Sequence, residues 1–243
     1  MRCFPLALPA IATLALLVLP VATVQAEPRV PISQIAPDSG LTGDVLFLGL
    51  AASPDGPILH LAIEVPELTA ALDAAGFALG NLGSSRHRLY WVGPTNFNDA
   101  GAGGMVTASS HARWEEWADL DPFGDHLTRL LRDTKKLNLA IRPIWDTATG
   151  TLSVEVVLLN IDNVPGEVEQ WLQRLGVDFT RRARLFDLPD SITAQYAPVL
   201  VVQAATLLHG GRGVRYDLRL ALHGDAVPQT LPGLMLAFWG LSG

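Results

Sequence analysis

Apolar residues between Leu137 and Leu158 recur at every second position. Leu137, Leu139 and Ile141 share one phase, and Asn138, Ala140 and Arg142 take the other. After Asp146-Thr147-Ala148-Thr149-Gly150 the alternation resumes with Leu152, Val154, Val156 and Leu158 opposite Ser153 and Glu155. Period two is a half-buried strand, and a glycine-ended polar run is a reversal, so the pattern predicts a β-hairpin. The period then lengthens. Val168, Trp171, Leu172 and Leu175 follow i, i+3, i+4, i+7 spacing, with Pro165 ahead and Gly176 behind. That is one face of a short helix with a first-turn proline and a C-terminal glycine cap.

The order strand, glycine turn, strand, Val-Pro, helix, glycine recurs earlier. Asp44–Leu50 and Ile58–Glu64 flank Ala51-Ala52-Ser53-Pro54-Asp55-Gly56, and Leu68, Ala71, Leu72 and Ala75 follow Val65-Pro66. Segments 43–76 and 137–176 therefore read as internal ββα repeats, with weaker copies at 86–133 and 199–240. In the first weak copy, strands at Arg86–Val92 and Met105–Trp117 enclose a polar loop, and Asp125–Arg132 reads as a helix with Leu127, Leu130 and Leu131 on its apolar face. In the second, Val199–Leu208 is a continuous apolar run. Gly210-Gly211-Arg212-Gly213 turns the chain, and Val214–Leu222 alternates cleanly. Asp190-Ser191 is placed to cap a helix through Tyr196 that ends at Pro198, while Asp178–Leu188 has no decisive period.

The predicted fold class is α+β. It is a mainly antiparallel sheet of about eight strands built from repeated hairpins, with three or four short helices packed on one face or capping a partly closed barrel. The predicted organisation is a signal peptide over 1–26, an extended leader over 27–42 and a single domain over 43–243. The signal reading rests on Arg2, an apolar run from Phe4 to Val24, and Val24-Gln25-Ala26 before Glu27. Prolines 5, 9 and 20 weigh against a retained membrane span. Cleavage would leave no transmembrane segment, and a periplasmic location follows.

Charge and composition narrow the partners. The formal charge is −7, and becomes −8 once Arg2 is removed. The only lysines are Lys135 and Lys136. An acidic chain of this kind is a poor binder of nucleic acid or of anionic membrane surfaces. Cys3 is the single cysteine, so residues 27–243 have neither a disulfide nor a thiolate metal site.

Catalytic signatures are weak. The six histidines, His60, His87, His111, His126, His209 and His223, lack metal-ligand spacing. Ser84-Ser85-Arg86-His87 and Ser109-Ser110-His111 put hydroxyls next to imidazoles, but neighbours along a strand face opposite ways. The run Asp119 to Asp125 lacks the acidic group at the fifth position of a calcium loop, Leu130 stands where the bidentate glutamate belongs, and the run reads as a turn into a helix. Gly101–Gly104 lacks the lysine of a phosphate-binding loop. No catalytic residue, metal site or cofactor is assigned.

The tryptophans carry the functional expectation. Trp91 and Trp114 fall on the two strands of one predicted hairpin, where cross-strand aromatics form a continuous surface. Val157 and Leu159 are apolar on the phase opposite Val156 and Leu158, so extra apolar surface needs cover. The expected role is a non-enzymatic periplasmic protein binding an apolar small molecule, a lipid or an envelope partner. Trp91 and Trp114 would form the wall, with Leu89, Val106, Val154, Val156 and Leu220 as further lining. The alternatives are an envelope hydrolase with a dispersed Asp/His site and a purely structural assembly module.

Overall fold

The structure, a computed structural model, describes residues 27–75, 87–119, 127–162, 181–224 and 226–240. Among them are eleven strands in two antiparallel sheets. They are β1 (Arg29–Pro31), β2 (Asp44–Ala51), β3 (Ile58–Val65), β4 (His87–Trp91), β5 (Asn96–Ala100), β6 (Val106–Asp119), β7 (Leu127–Asp146), β8 (Thr151–Ile161), β9 (Arg181–Asp187), β10 (Val199–Leu208) and β11 (Gly213–Ala221). The first sheet has the order β1-β2-β3-β11-β10. The second runs β4-β6-β7-β8-β9, with β5 also on β6. The helices are α1 (Ile32–Ile35), α2 (Leu68–Ala75), α3 (Asp190–Tyr196) and α4 (Leu231–Trp239).

The period-two segments become strands and the turns reverse them as expected. β2–β3, β7–β8 and β10–β11 are antiparallel hairpins. The two strongest ββα segments divide between the sheets, β2–β3 in the first and β7–β8 in the second. The helix expected after β8 lies outside the described residues, as do the signal segment, the calcium-like run beyond Asp119, and His126.

Three expectations are corrected. Among the described residues both sheets are open: β1 and β10 end the first, β4 and β9 end the second, and neither pair of end strands joins to close a barrel. The described residues already form eleven strands where about eight are expected, because β1 forms within the leader, β5 within the polar loop and β9 within the stretch of undecided period. Leu127–Arg132, expected to be helical, opens β7 and pairs with Asp119–Glu115 of β6. A helix of that length has little stability of its own. Lengthening an existing two-stranded ladder adds hydrogen bonds at each residue, so pairing overrides the i, i+3, i+4 leucines.

The two sheets bury their apolar phases in one continuous core. Leu59, Leu61 and Ile63 of β3 and Val214, Tyr216, Leu218 and Leu220 of β11 face Val106 and Ala108 of β6, Leu139 and Ile141 of β7, and Val154 and Val156 of β8 within that cluster. The helices add Ile32 and Ile35, Leu68 and Leu72, Ile192 and Tyr196, and Leu234, Met235 and Phe238 to it. α3 starts behind Pro189 without a side-chain cap and stops at Ala197, whose φ is +40°. α4 is capped by Thr230, whose hydroxyl accepts from the Gly233 amide. Among the described residues no helix is long and apolar enough to cross a membrane.

Candidate functional site

β6 and β7 are the longest strands, with 14 and 20 residues. Their Val106–Ser110 end pairs with β7 over Leu137–Ile141 at the common core, and the opposite end carries β4. Leu89 lies opposite Trp114 and Trp91 opposite Ala112, so these four positions share one face of the β4–β6 pair. Trp91 and Trp114 are thus diagonal neighbours, as the sequence suggests. Trp114 is 6% exposed and Trp91 is half-buried, and both join the core cluster.

The remaining expected lining is placed elsewhere. Val106, Ile141 and Val156 form one row across β6, β7 and β8, with Val154 two residues along. Val106 stands eight residues from Trp114 on the same strand, about 26 Å. Leu220 belongs to the first sheet, between Leu59 and Leu200. Val106, Val154, Val156 and Leu220 are buried. The seven positions therefore divide into a tryptophan-bearing face at the β4 end and buried aliphatic positions between the sheets.

A polar cluster that sequence reasoning missed anchors the tryptophan face. Asp73, on α2, accepts from the Trp91 indole N–H at 2.8 Å and the Thr95 hydroxyl at 2.6 Å through Oδ1, and from the Thr95 amide at 3.0 Å through Oδ2. The Thr95 and Ser110 hydroxyls share a further hydrogen bond of 3.2 Å, and both residues are buried. The chain can pass this close only because Gly93 has no side chain. Its φ is +59°, and a Cβ there would stand 3.0 Å from the Asp73 carboxylate. The cluster fixes α2 across the indole edge of Trp91. The Asp73 carboxylate holds the Thr95 hydroxyl, which in turn is bonded to that of Ser110. The Trp114 indole N–H donates to Glu116 Oε1 at 2.9 Å, so both tryptophans are orientated by carboxylates.

The outward face of the second sheet carries another unanticipated group. Arg142, Glu155 and Arg182 are in register across β7, β8 and β9. Arg142 donates through Nε and Nη2 to Glu155 Oε2, and Arg182 through the same two atoms to Oε1. Hydrogen bonds from Arg182 and then Arg142 outweigh desolvation and hold the Glu155 carboxyl below its ordinary range. Arg184 pairs with Asp187 at 2.9 Å beside it. Arg142, Arg182 and Arg184 therefore sit in a lattice of ion pairs on this face.

Two polar atoms inside the core have no hydrogen-bond partner among the described residues, the Tyr216 hydroxyl and the Trp145 indole N–H. Of the histidines, His60 and His111 lie on the outward phase of their strands, and His223 contacts the Asp55 carbonyl at 3.3 Å. Among the described residues no three His, Cys, Asp or Glu side chains gather as a metal site. Comparison of the chain with family models, curated proteins and solved structures finds no match.

Proposed function

We propose that the chain is an exported, periplasmic, non-enzymatic protein that binds an apolar small molecule or lipid, or the apolar surface of an envelope partner. The observation that carries this reading is the face shared by Leu89, Trp91, Ala112 and Trp114. Ala112 and Trp114 belong to the inter-sheet core, Trp91 packs against it, and Asp73 braces Trp91 from α2. Trp91, half-buried and with its indole N–H already satisfied, is a rigid aromatic that presents an apolar face at low entropic cost.

The export part of the reading rests on the Arg2, apolar and Val24-Gln25-Ala26 pattern. N-terminal sequencing of the periplasmic form should begin at Glu27; finding Met1 on membrane-bound protein would reject it. For binding, native mass spectrometry of gently released protein, with lipid extraction of the same sample, should reveal a co-purifying apolar species. Titration of that species should shift tryptophan emission in the wild type and less in Trp91→Ala, with unfolding midpoints checking that the variant folds. A protein that is empty and whose emission lipids do not move would be a structural module instead.

A further inference from the structure

β10 ends the first sheet, and it is an unusual edge. Its ten residues, Val199–Leu208, contain no charge and no proline. Edge strands ordinarily carry such residues to prevent pairing with another chain. Part of the edge is already occupied. Ala102 bridges to Ala204, and the Gly103 amide donates to the Gln203 carbonyl at 3.3 Å, next to the bulge between Val202 and Ala204. Gly104 lies against the Val202 side chain, so among the described residues the open stretch is Val199–Val201. Within it Val199 and Val201 point to the outward face, 46% and 52% exposed, while Leu200 between them is buried.

We propose that this stretch pairs with the same stretch of a second copy of the chain, antiparallel, about a two-fold axis through Leu200. A two-fold contact must match a surface to itself. With Leu200 opposite Leu200 of the second copy, Val199 falls opposite the other Val201, and Val201 opposite the other Val199. Each exposed valine gains an exposed valine on the same face, and the inward phase meets itself at leucine, as strand register requires. The match also extends sideways. Ala51, Ile58, Ala221 and Val199 form one row of the outward face, ending at this edge, and Val201 of the second copy prolongs it. Charge points to the same occupant. The chain carries a formal −7, yet of the β11 residues beside the open stretch, Arg219–Ala221, only Arg219 is charged. Two copies thus meet where no carboxylate stands in the pairing strand or in the stretch of β11 beside it. Because the bridge at Ala204 limits the ladder to a few pairs, the dimer is weak and concentration-dependent. This association does not depend on ligand binding.

The register is open to a direct test, because Cys3 is the only native cysteine. In a Cys3→Ser background, Val199→Cys and Val201→Cys are made as separate proteins. Opposed residues lie about 4.5–5.5 Å apart between Cα atoms, within disulfide reach, whereas same-numbered residues here are diagonal, about 7–8 Å apart. Oxidation of the mixture should yield a cross-linked dimer joining one of each variant, while either variant alone should yield little. Sedimentation of the wild type should show the mass moving from one chain to two between micromolar and millimolar concentration. Val201→Lys should remain at one chain with an unchanged urea midpoint. A wild type that stays monomeric throughout this range, a dimer that Val201→Lys leaves intact, or equal cross-linking of single and mixed variants overturns the proposal.

Discussion

Replacing Tyr216 with phenylalanine should stabilise the protein. Tyr216 sits on β11, the strand that joins β3 to β10, between Ile63 and Ala205, and is 0% exposed. Its hydroxyl has no partner among the described residues. A buried polar group left unsatisfied costs about 1–3 kcal/mol, and phenylalanine keeps the ring and its packing. A gain of about 1–2 kcal/mol is expected once partial relaxation around the hydroxyl is discounted, with about 2–4 °C in Tm for each kcal/mol in a domain of this size. Urea unfolding at neutral pH should show a higher midpoint with an unchanged slope. Alkaline pH supplies a second reading. Burial pushes the Tyr216 phenol above its ordinary value of 10.0, so the folded protein holds its proton where the unfolded chain releases it. Stability from this group is complete below about pH 10 and is lost as pH rises further, a loss that Tyr216→Phe should reduce. Destabilisation of about 1 kcal/mol or more at neutral pH would refute the reasoning, since the hydroxyl would then have a partner in solution. Repeating the measurement after lipid extraction shows whether that partner is an extractable ligand.

The other perturbations act nearer the surface. Glu155→Gln should cost about 1–2 kcal/mol in urea unfolding, the modest end for charge-assisted bonds because both arginines are more than half exposed. Since Glu155 is held below its ordinary value of 4.5, its contribution is present above that pH and lost as acid takes the solution below it; the variant's acid limb should be correspondingly flatter. Asp73→Ala should cost about 2–3 kcal/mol and shift Trp91 emission to the red, as the carboxylate holding the indole and Thr95 disappears. Ala197→Gly should raise the thermal midpoint by the equivalent of about 0.5–1 kcal/mol. It relieves a side chain at φ +40°, a strain of about 1–2 kcal/mol that the added freedom of the unfolded chain partly offsets.

Much of the fold is legible in the alternation of single segments, because an alternating strand states its own buried face. Val214, Tyr216, Leu218 and Leu220 announce the core side of β11 without reference to any other residue, and all four are buried. Legibility ends where a segment takes its structure from a partner. Leu127–Arg132 carries helical spacing and is a strand because Glu115–Asp119 lies alongside it. Asn96–Ala100 is polar and glycine-flanked and becomes β5 because the long β6 offers it an edge, with the Phe97 amide further tied to the Gly211 carbonyl at 3.0 Å. The number of sheets is hidden for the same reason, since no hairpin records which other hairpin its strands adjoin.

The site divides in the same way. The shared face of Trp91 and Trp114 follows from one hairpin-like pairing and is readable from their phases. Its support is not readable, because Asp73 reaches Trp91 and Thr95 from a helix 18 and 22 residues away. The Glu155 bridge was half visible, as a carboxylate on the polar phase of β8 with Arg142 on the polar phase of β7. Arg182 completes it only through the β8–β9 register. Phase alone also grouped Val106, Val154, Val156 and Leu220 with the tryptophans, because an inward phase marks burial and not position along a strand. Strand length separates them: residues on one face of a single β6 can lie about 26 Å apart. The binding proposal therefore rests on the β4 end of β6, where aromatic surface, a helix brace and a β4 edge of a few residues come together. A ligand that protects Trp91 from collisional quenching by iodide should leave the β10 cross-link of the cysteine variants unchanged. A ligand that alters the cross-link without protecting Trp91 would place binding in the first sheet and remove the reason for choosing this face.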